Sequence, residues 1–352
     1  MDGTDHGYDA FVSKKVAILT GMTVFIVCLA LFSIGSGAYS ISLDRIIATI
    51  LGDGSKSESA VIWNIRIPRV IAAILVGCSL GVAGTIMQCI LKNPLASPYT
   101  LGISNAAAFG AAMSLAASYF GFLSGTIFEE FLSGVYGMTL NAFLWSMITV
   151  AVIISLSRLV STTPESMVLT GVALGAIFSA ALSSLQYFVD DSTLSSMVYW
   201  QFGDLSKATS MELYVILVIF IPVILYFIRK AMDYNAMNVG EDVASSLGVN
   251  TKRTMILGMV LASAITAVCI SIVGIIGFVG LLAPHIMRRI VGGDHRFLIP
   301  ASMLMGAIIL LVADIVGRLA FTFSLPVGII TSFLGGPLFI YILSKERKKR
   351  SV

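Results

Sequence analysis

Charged residues are scarce in this chain. Asp, Glu, Lys and Arg together make up 12% of its 352 residues, whereas a soluble domain carries about 25%. Hydrophobic residues reach 57%, and the mean hydropathy is +0.95. This composition excludes an ordinary soluble fold and predicts an all-α, multi-pass membrane protein in contact with lipid. The net charge of +3 is scattered over the ends of apolar runs, so it gives no indication of nucleic-acid binding.

Cysteine and histidine are too few and too dispersed to form a metal site or a disulfide framework. The four cysteines lie singly within apolar runs, and the three histidines are not clustered with them. A phosphate-binding loop of the GxxxxGK[ST] type is also lacking. The sequence therefore predicts a chain that is not an enzyme, that holds no cofactor or metal of its own, and that does not hydrolyse ATP through that motif.

Ten apolar segments divide the chain into predicted membrane helices. The predicted spans are about 16–38, 67–90, 100–120, 138–157, 166–188, 211–228, 254 to a glycine-rich turn, 278–290, 298–320 and 327–343. Residues 1–15 form a predicted tail whose first 13 residues lack regular structure, 16–344 form the membrane domain, and 345–352 form a basic tail. The stretch 39–65 and the segment around Glu129 and Glu130 are predicted polar connections.

The segment from Thr254 to Met287 is too long for one crossing. Its 34 residues contain no Asp, Glu, Lys or Arg, and as a single helix they would extend roughly 50 Å, compared with a hydrocarbon core of about 30 Å. Basic residues flank both ends, which a hairpin explains better than one span. The glycine-rich run from Gly274 to Gly280 is the predicted reversal. The second arm, 278–290, contains Pro284 and is predicted to be a short, broken helix buried in protein.

The basic residues favour ten spans with both termini in the cytoplasm. In that topology 16 of the 22 Lys and Arg residues lie on the cytoplasmic side and 6 lie outside, as the positive-inside rule expects. A nine-span alternative with a cytoplasmic N-terminus would put the basic C-terminal tail outside. Three of the six outer residues are arginines: Arg66, Arg69 and Arg318. They predict an acidic docking partner, because guanidinium groups bind carboxylates bidentately; contact with lipid headgroups or water is the alternative.

Asp314 and Arg318 are four residues apart in a predicted span, so they share a helix face and can form an ion pair. Intramembrane charges mark functional sites by default, and a purely structural pair is the alternative. The sequence predicts that Asp314 holds Arg318 at the outer surface.

A stripe of small residues follows the fifth predicted span. The stripe consists of Gly171, Gly175, Ser179 and Ser183, with Gln186 near the end of the span. Such a face lets two helices approach closely, and tight packing alone is one explanation. The other is that the stripe lines a translocation pathway, to which we also assign Gln88 at the end of the glycine-rich second span.

The connection 229–253 is the longest on the cytoplasmic side. Glu241 and Asp242 suit the first turn of a short helix that follows Gly240, and Gly248 suits its end. Ala244 and Leu247 would share a face of small and apolar character. A plain connector is one reading, and a coupling helix that docks another protein is the other.

At these residues the sequence resembles the FecCD-like permeases, which are the membrane subunits of bacterial and archaeal ABC importers for iron-siderophores, haem and cobalamin. Any one motif is weak, but their order along the chain is specific. The matching motifs are Arg66-Ile-Pro-Arg69, Asn93-Pro-Leu-Ala-Ser-Pro98, Val198-Tyr-Trp-Gln-Phe-Gly-Asp204, Ala244-Ser-Ser-Leu-Gly248, Gly277-Phe-Val-Gly-Leu-Leu-Ala-Pro-His285, Gly292-Gly-Asp-His-Arg296, Ala313-Asp314 with Arg318, and Leu325-Pro-Val-Gly328 with Gly335-Gly-Pro337.

The resemblance implies a ten-span permease domain in the cytoplasmic membrane, paired with a second copy. It implies two cytoplasmic ABC ATPase subunits that bind ATP and Mg²⁺ and grip the segment from Gly240 to Gly248. It also implies an external substrate-binding protein that meets Arg66, Arg69 and Arg318. The cargo would be a ferric siderophore or a similar chelate, with haem and cobalamin left open. An ion-gradient-driven secondary transporter is the alternative, although the only candidate ionisable groups within its spans are Asp314 and Arg318, near one end.

Overall fold

Helices form all of the regular structure within the residues that the computed structural model describes, which are 3–37, 41–121, 134–160, 163–320 and 323–350. The helices are α1 (Gly3–Gly35), α2 (Leu43–Ile50), α3 (Lys56–Val61), α4 (Ile67–Ile90), α5 (Ile103–Phe120), α6 (Val135–Val160), α7 (Pro164–Phe188), α8 (Asp191–Gln201), α9 (Ser210–Arg229), α10 (Ala231–Val239), α11 (Glu241–Ser246), α12 (Thr251–Val273), α13 (Val279–Val291), α14 (His295–Leu319) and α15 (Val327–Arg350). This architecture confirms the predicted all-α fold, and it suits lipid because a helix satisfies its own backbone hydrogen bonds.

Seven helices within the described ranges are long and apolar enough to cross a membrane, with lengths of 20 to 35 residues. Two shorter apolar helices cover Ile103–Ala117 and Val327–Tyr341, and α13 has 13 residues. Each of the ten predicted segments therefore corresponds to a helix. The number that crosses the bilayer completely stays a prediction.

Helix α4 is the centre of the bundle. Every residue from Val76 to Ile90 is buried. Glycines allow this burial because they bring neighbouring backbones into contact. A Cβ on Gly280 of α13 would lie 2.9 Å from the carbonyl oxygen of Leu80 in α4. Helix α4 thus packs directly against α12, α13 and α14.

The predicted break after α12 is confirmed. Helix α12 ends at Val273, and Gly274 (φ +80°) and Phe278 (φ +66°) then adopt left-handed or related backbone conformations. Helix α13 follows as the short arm predicted at 278–290. Its residues from Val279 to His285 are all buried, as expected for a short helix with an internal proline that is shielded from lipid.

Three glycine-containing motifs that lie far apart in the sequence meet at this break. The amide of Asp204 donates to the carbonyl oxygen of Val273 at 2.7 Å, and the amide of Gly328 donates to the carbonyl oxygen of Gly203 at 3.2 Å. A side chain on Gly203 or on Gly328 would collide with the carbonyl oxygen of Ile275. The glycines are required here because backbone packs on backbone with no room for a Cβ.

Several predicted connections and tails are helical instead. Helix α1 begins at Gly3, so the segment predicted to lack regular structure continues the first span, and α15 continues through the predicted basic tail to Arg350. In α15 the tail is rich in Lys, Arg and Glu, which are good helix formers and let the helix extend beyond its apolar part. The predicted polar stretch 39–65 contains α2 and α3, where Ser55 and Glu58 form a capping box. Glu129 and Glu130 lie outside the described residues.

Candidate functional site

An arginine–aspartate cluster occupies one end of the bundle. The carboxylate of Asp314 is fully buried and accepts hydrogen bonds from Nε of Arg318 at 2.9 Å and from Nε of Arg69 at 2.7 Å. The ion pair predicted within α14 is therefore present. Its second partner, Arg69 in α4, was not predicted as such, because the two residues are 245 positions apart and no sequence pattern connects them.

The same arginines bind the end of α1 to the bundle. Arg318 donates to the hydroxyl of Ser33 at 2.6 Å and to the carbonyl oxygen of Ser36 at 2.9 Å. Arg66, which is 6% exposed, donates to the carbonyl oxygen of Ile34 at 2.6 Å. It lies on a π-helical turn over Ile62–Arg66, immediately before α4. These bonds satisfy carbonyl groups at the C-terminal end of α1 that have no partner within the helix.

The three arginines predicted to dock a binding protein are thus largely enclosed. The side chains of Arg69 and Arg318 are 12% and 11% exposed. A partner's carboxylate would have to compete with Asp314 for their donors. Their role in docking stays a prediction, and the structure adds that two of the guanidinium groups bind one carboxylate, with Arg66 near Arg318.

The small-residue stripe of α7 divides between two environments. Gly171 and Gly175 are buried against the start of α5, where a Cβ on Gly175 would lie 3.2 Å from Cα of Gly102. Asn105 donates to the carbonyl oxygen of Gly175 at 3.0 Å. Ser179 and Ser183 are exposed. Residues four apart are offset by about 40° on a helix of 3.6 residues per turn, so the stripe rotates off the packed face.

The two predicted pathway glutamines also differ in exposure. Gln88 is 2% exposed, and its amide donates to the carbonyl oxygen of Leu281 in α13 at 3.3 Å. Arg288 donates to the other end of this amide at 3.4 Å. Gln88 is therefore enclosed between α4 and α13, whereas Gln186 is partly exposed near the end of α7. The exposed candidates for a pathway lining are Ser179, Ser183 and Gln186, and that role stays a prediction.

Helices α10 and α11 lie at the opposite end of the bundle from Asp314. The side-chain amide of Asn235 donates to Asp294 at 2.8 Å, and its oxygen accepts from the amide of His295 at 2.7 Å, which fixes α10 at the start of α14. Burial raises the pKa of Asp294, but hydrogen bonds from Arg296 and Asn235 outweigh it and bring this pKa to about 2. Asp294 is therefore a carboxylate at neutral pH and remains an acceptor for both groups.

The predicted coupling segment forms a short helix, α11, that begins after Gly240 and ends before Gly248 (φ +82°). Glu241 forms an ion pair with Lys92 at 2.8 Å, beyond the end of α4. Ala244 is completely buried in the cluster that contains Tyr234 and Met237. Ala244 therefore fixes α11 to the bundle. The sequence predicted that Ala244 and Leu247 share an open face, and this was wrong because Ala244 is buried while Leu247 is exposed.

An exposed apolar ridge lies on the outer side of this segment. Val243 and Leu247, four residues apart in and just after α11, are 43% and 70% exposed. Val239, the last residue of α10 before the break at Gly240, is 72% exposed. Sequence reasoning singled out Leu247 but missed the two valines and Lys92. The four-residue spacing from Leu247 was a signal for Val243, although only the structure shows which side of the short helix is open. Val239 lies beyond the helix break at Gly240, so no helical spacing connects it to the other two.

The part of the chain that the structure describes contains no group of three or more His, Cys, Asp or Glu side chains suited to a metal ion.

The model of the FecCD transport family matches residues 23–345, which includes both ends of the bundle and the coupling segment. The chain belongs to the FecCD transport family. It is a multi-pass membrane protein, and the resemblance to the FecCD-like permeases that its sequence motifs indicated is confirmed.

Relatives of this FecCD protein align over nearly their full length. A protein of Methanocaldococcus jannaschii named as an ABC transporter permease is 46% identical over 97% of this chain and 98% of its own. The hemin transport system permease of Yersinia pestis is 34% identical over 94% of this chain and 95% of its own.

A solved structure supports the same assignment. It is described as an inward-facing conformation of a metal-chelate type ABC transporter, and it superposes with a TM-score of 0.81 at 31% identity. The match covers 94% of this chain and 99% of the solved one, so the two chains share the fold over nearly all of the helices described above.

Proposed function

We propose that this FecCD protein is the membrane subunit of an ABC importer and moves a metal chelate across the cytoplasmic membrane of a bacterium or archaeon. Its termini would lie in the cytoplasm, and a separate subunit would hydrolyse the ATP. The observation that carries the proposal is the ridge of Val239, Val243 and Leu247 on a segment that is fixed to the ends of several spans. A soluble partner that grips this ridge can move the spans.

The contacts of the coupling segment suit it to transmit force to the membrane helices, which a plain connector would not do. Asn235 binds α10 to α14, Ala244 packs into the core beside α4 and α12, and Glu241 pairs with Lys92 after α4. A displacement of α11 therefore acts on three membrane helices together. Because the sequence lacks a phosphate-binding loop, we assign ATP and Mg²⁺ to two partner ATPase subunits, one for each copy of the permease.

A second copy of the chain would cover the exposed face of α7. Leu169 and Tyr187 on this helix are 72% and 83% exposed, and Ser179 and Ser183 lie between them along the helix. Hydroxyl groups gain little from facing lipid, whereas they suit a passage for a polar chelate between two subunits. We propose that the passage runs along this face, with Ser179, Ser183 and Gln186 in contact with the cargo.

The end that carries Asp314 would receive an external binding protein. Arg69 and Arg318 share the single carboxylate of Asp314 there, and Arg66 lies near Arg318. This concentration of guanidinium groups attracts an acidic surface over several ångströms even where the groups are partly enclosed. We therefore propose that Arg66, Arg69 and Arg318 attract the binding protein through their electrostatic field more than through bidentate hydrogen bonds to its carboxylates.

A ferric chelate is the cargo we favour, because one relative is named for hemin transport and the similar solved structure is described as metal-chelate type. Cobalamin is a further candidate by family. No specific observation favours the alternative, a secondary transporter: the carboxylate of Asp314 lies near one end of its span and is already bound by Arg69 and Arg318.

ATP hydrolysis in proteoliposomes tests the proposal. The permease is reconstituted with its ATPase, and the binding protein is added with and without ferric siderophore, haem or cobalamin. The proposal expects turnover to rise when the loaded binding protein is present, and the ranking of cargoes then identifies the chelate. Turnover that is indifferent to the binding protein and to every cargo would refute it.

A further inference from the structure

A cavity of about 390 Å³ opens between the ends of α9 and α12. Its polar wall contains Lys230, Asp233, Asn250 and Arg253, and its apolar wall includes Leu257. The remaining lining residues are Tyr226, Leu247, Gly248, Val249 and Thr254. The cavity is distinct from the Asp314 cluster and from the exposed face of α7. The apolar ridge adjoins it at Leu247, but neither the ridge nor the proposed pathway explains why one wall of the cavity is charged.

The charges in this wall leave a positive surplus. Lys230 donates to Asp233 at 2.8 Å, and this hydrogen bond raises the pKa of Lys230, so the ammonium group stays charged at neutral pH. Arg253 is exposed, and its guanidinium group forms no ion pair within the described residues. Its backbone amide is already used, because Asn250 accepts from it at 3.0 Å as the N-cap of α12. The free guanidinium group therefore gives the wall a net charge of +1.

The cavity lies where the headgroups of a bilayer must be. Helix α9 ends at Arg229 and α12 begins at Thr251, and both are candidate spans. Tyr226 lies about one turn inside the end of α9 and Leu257 nearly two turns inside the start of α12, and both are partly exposed. Tyrosine is enriched at the membrane interface, and an apolar wall below a cationic one matches a phospholipid, whose phosphate is joined to acyl chains.

We propose that this cavity binds the phosphate headgroup of an anionic phospholipid, with Arg253 and Lys230 at the phosphate and Tyr226 and Leu257 along the start of the acyl chains. Basic pockets between membrane helices are recognised sites for acidic lipid headgroups. The bound lipid would also touch Leu247 and Gly248, which adjoin the ridge. The cationic wall of the site is supplied by Lys230 and Arg253 at the ends of α9 and α12, so the inference does not rest on the proposed ATPase.

Native mass spectrometry of the full chain, delipidated in a mild detergent, tests this site. The chain is titrated with phosphatidylglycerol, with phosphatidylcholine and with inorganic phosphate. We expect selective retention of phosphatidylglycerol. Arg253→Gln should weaken it by about five-fold, the factor for the loss of one cation near the surface. Lys252→Gln is the matched control, since Lys252 is the adjacent exposed cation and does not line the cavity.

A gain of binding separates the proposal from simple misfolding. Asp233→Asn removes the only carboxylate of the described cavity wall and releases Lys230, so phosphatidylglycerol retention should rise by about five-fold. Equal retention of both lipids, equal loss in the two glutamine variants, or no gain with Asp233→Asn would overturn the site. Displacement of the lipid by millimolar inorganic phosphate would show that the cavity takes a free anion, which would also overturn it.

Discussion

Gly77 of α4 and Gly306 of α14 face each other so closely that a Cβ on either residue would overlap the carbonyl oxygen of the other. A Cβ on Gly81, one turn further along α4, would overlap the carbonyl oxygen of Ser302, one turn earlier in α14. The central helix of the bundle is thus packed backbone to backbone against α14. Such contact supplies dispersion and close-range dipole interactions where lipid supplies no hydrophobic driving force between helices.

Replacing Gly306 by Ala should therefore destabilise the chain. The added methyl group forces α4 and α14 apart, at a cost of about 1–3 kcal/mol for overpacking a tight interface. Thermal unfolding of the detergent-solubilised chain measures the effect. Gly21→Ala is the control, because nothing lies within 4 Å of a Cβ at Gly21 in α1; equal stability of the two variants would contradict the packing described.

Asp314→Asn should destabilise the chain more strongly than the loss of a surface carboxylate. It leaves Arg69 and Arg318 buried without their counter-charge, and breaking a buried pair costs about 3–5 kcal/mol. Asp53→Asn is the control, since Asp53 is exposed. Thermal unfolding of both variants is the measurement. If the Asp314→Asn variant unfolds at the same temperature as the unsubstituted chain, the cluster does not hold α1, α4 and α14 together.

Leu247→Asp should abolish coupling to the ATPase while the permease still folds. A carboxylate on the apolar ridge would have to be desolvated against the partner, so co-purification of the ATPase should fall by at least about ten-fold. Ser245→Asp adds the same charge to the same short helix away from the line of Val243 and Leu247, and it should retain the ATPase. Equal retention by both variants would rule out the ridge as the docking surface.

Ser179→Trp should block uptake without loss of the folded chain, because Ser179 is exposed on α7 and an indole there narrows the proposed passage. Gly175→Trp should instead unfold the chain, since Gly175 lies against Gly102. Uptake and monodispersity are measured in parallel, with Val218→Trp on the exposed face of α9 as the control; Val218 is 52% exposed. Normal uptake by Ser179→Trp would remove this face from the pathway.

Local patterns predicted the features that depend on neighbouring residues. The break before α13 followed from Gly274 and Pro284, and the Asp314–Arg318 pair followed from a spacing of four. Contacts between helices could not be predicted this way. Nothing in the sequence pairs Arg69 with Asp314, and nothing separates Gly175 from Ser179, because the pattern along a helix does not show which neighbour each face meets.

The central claim is that movement of cargo is driven by ATP through the coupling segment. Accumulation of a radiolabelled ferric chelate in proteoliposomes that contain the permease, its ATPase and the binding protein tests it most directly, with all ion gradients dissipated by ionophores. The account predicts accumulation that requires ATP and disappears with Leu247→Asp. Accumulation that proceeds without ATP and follows an imposed proton or sodium gradient would contradict it.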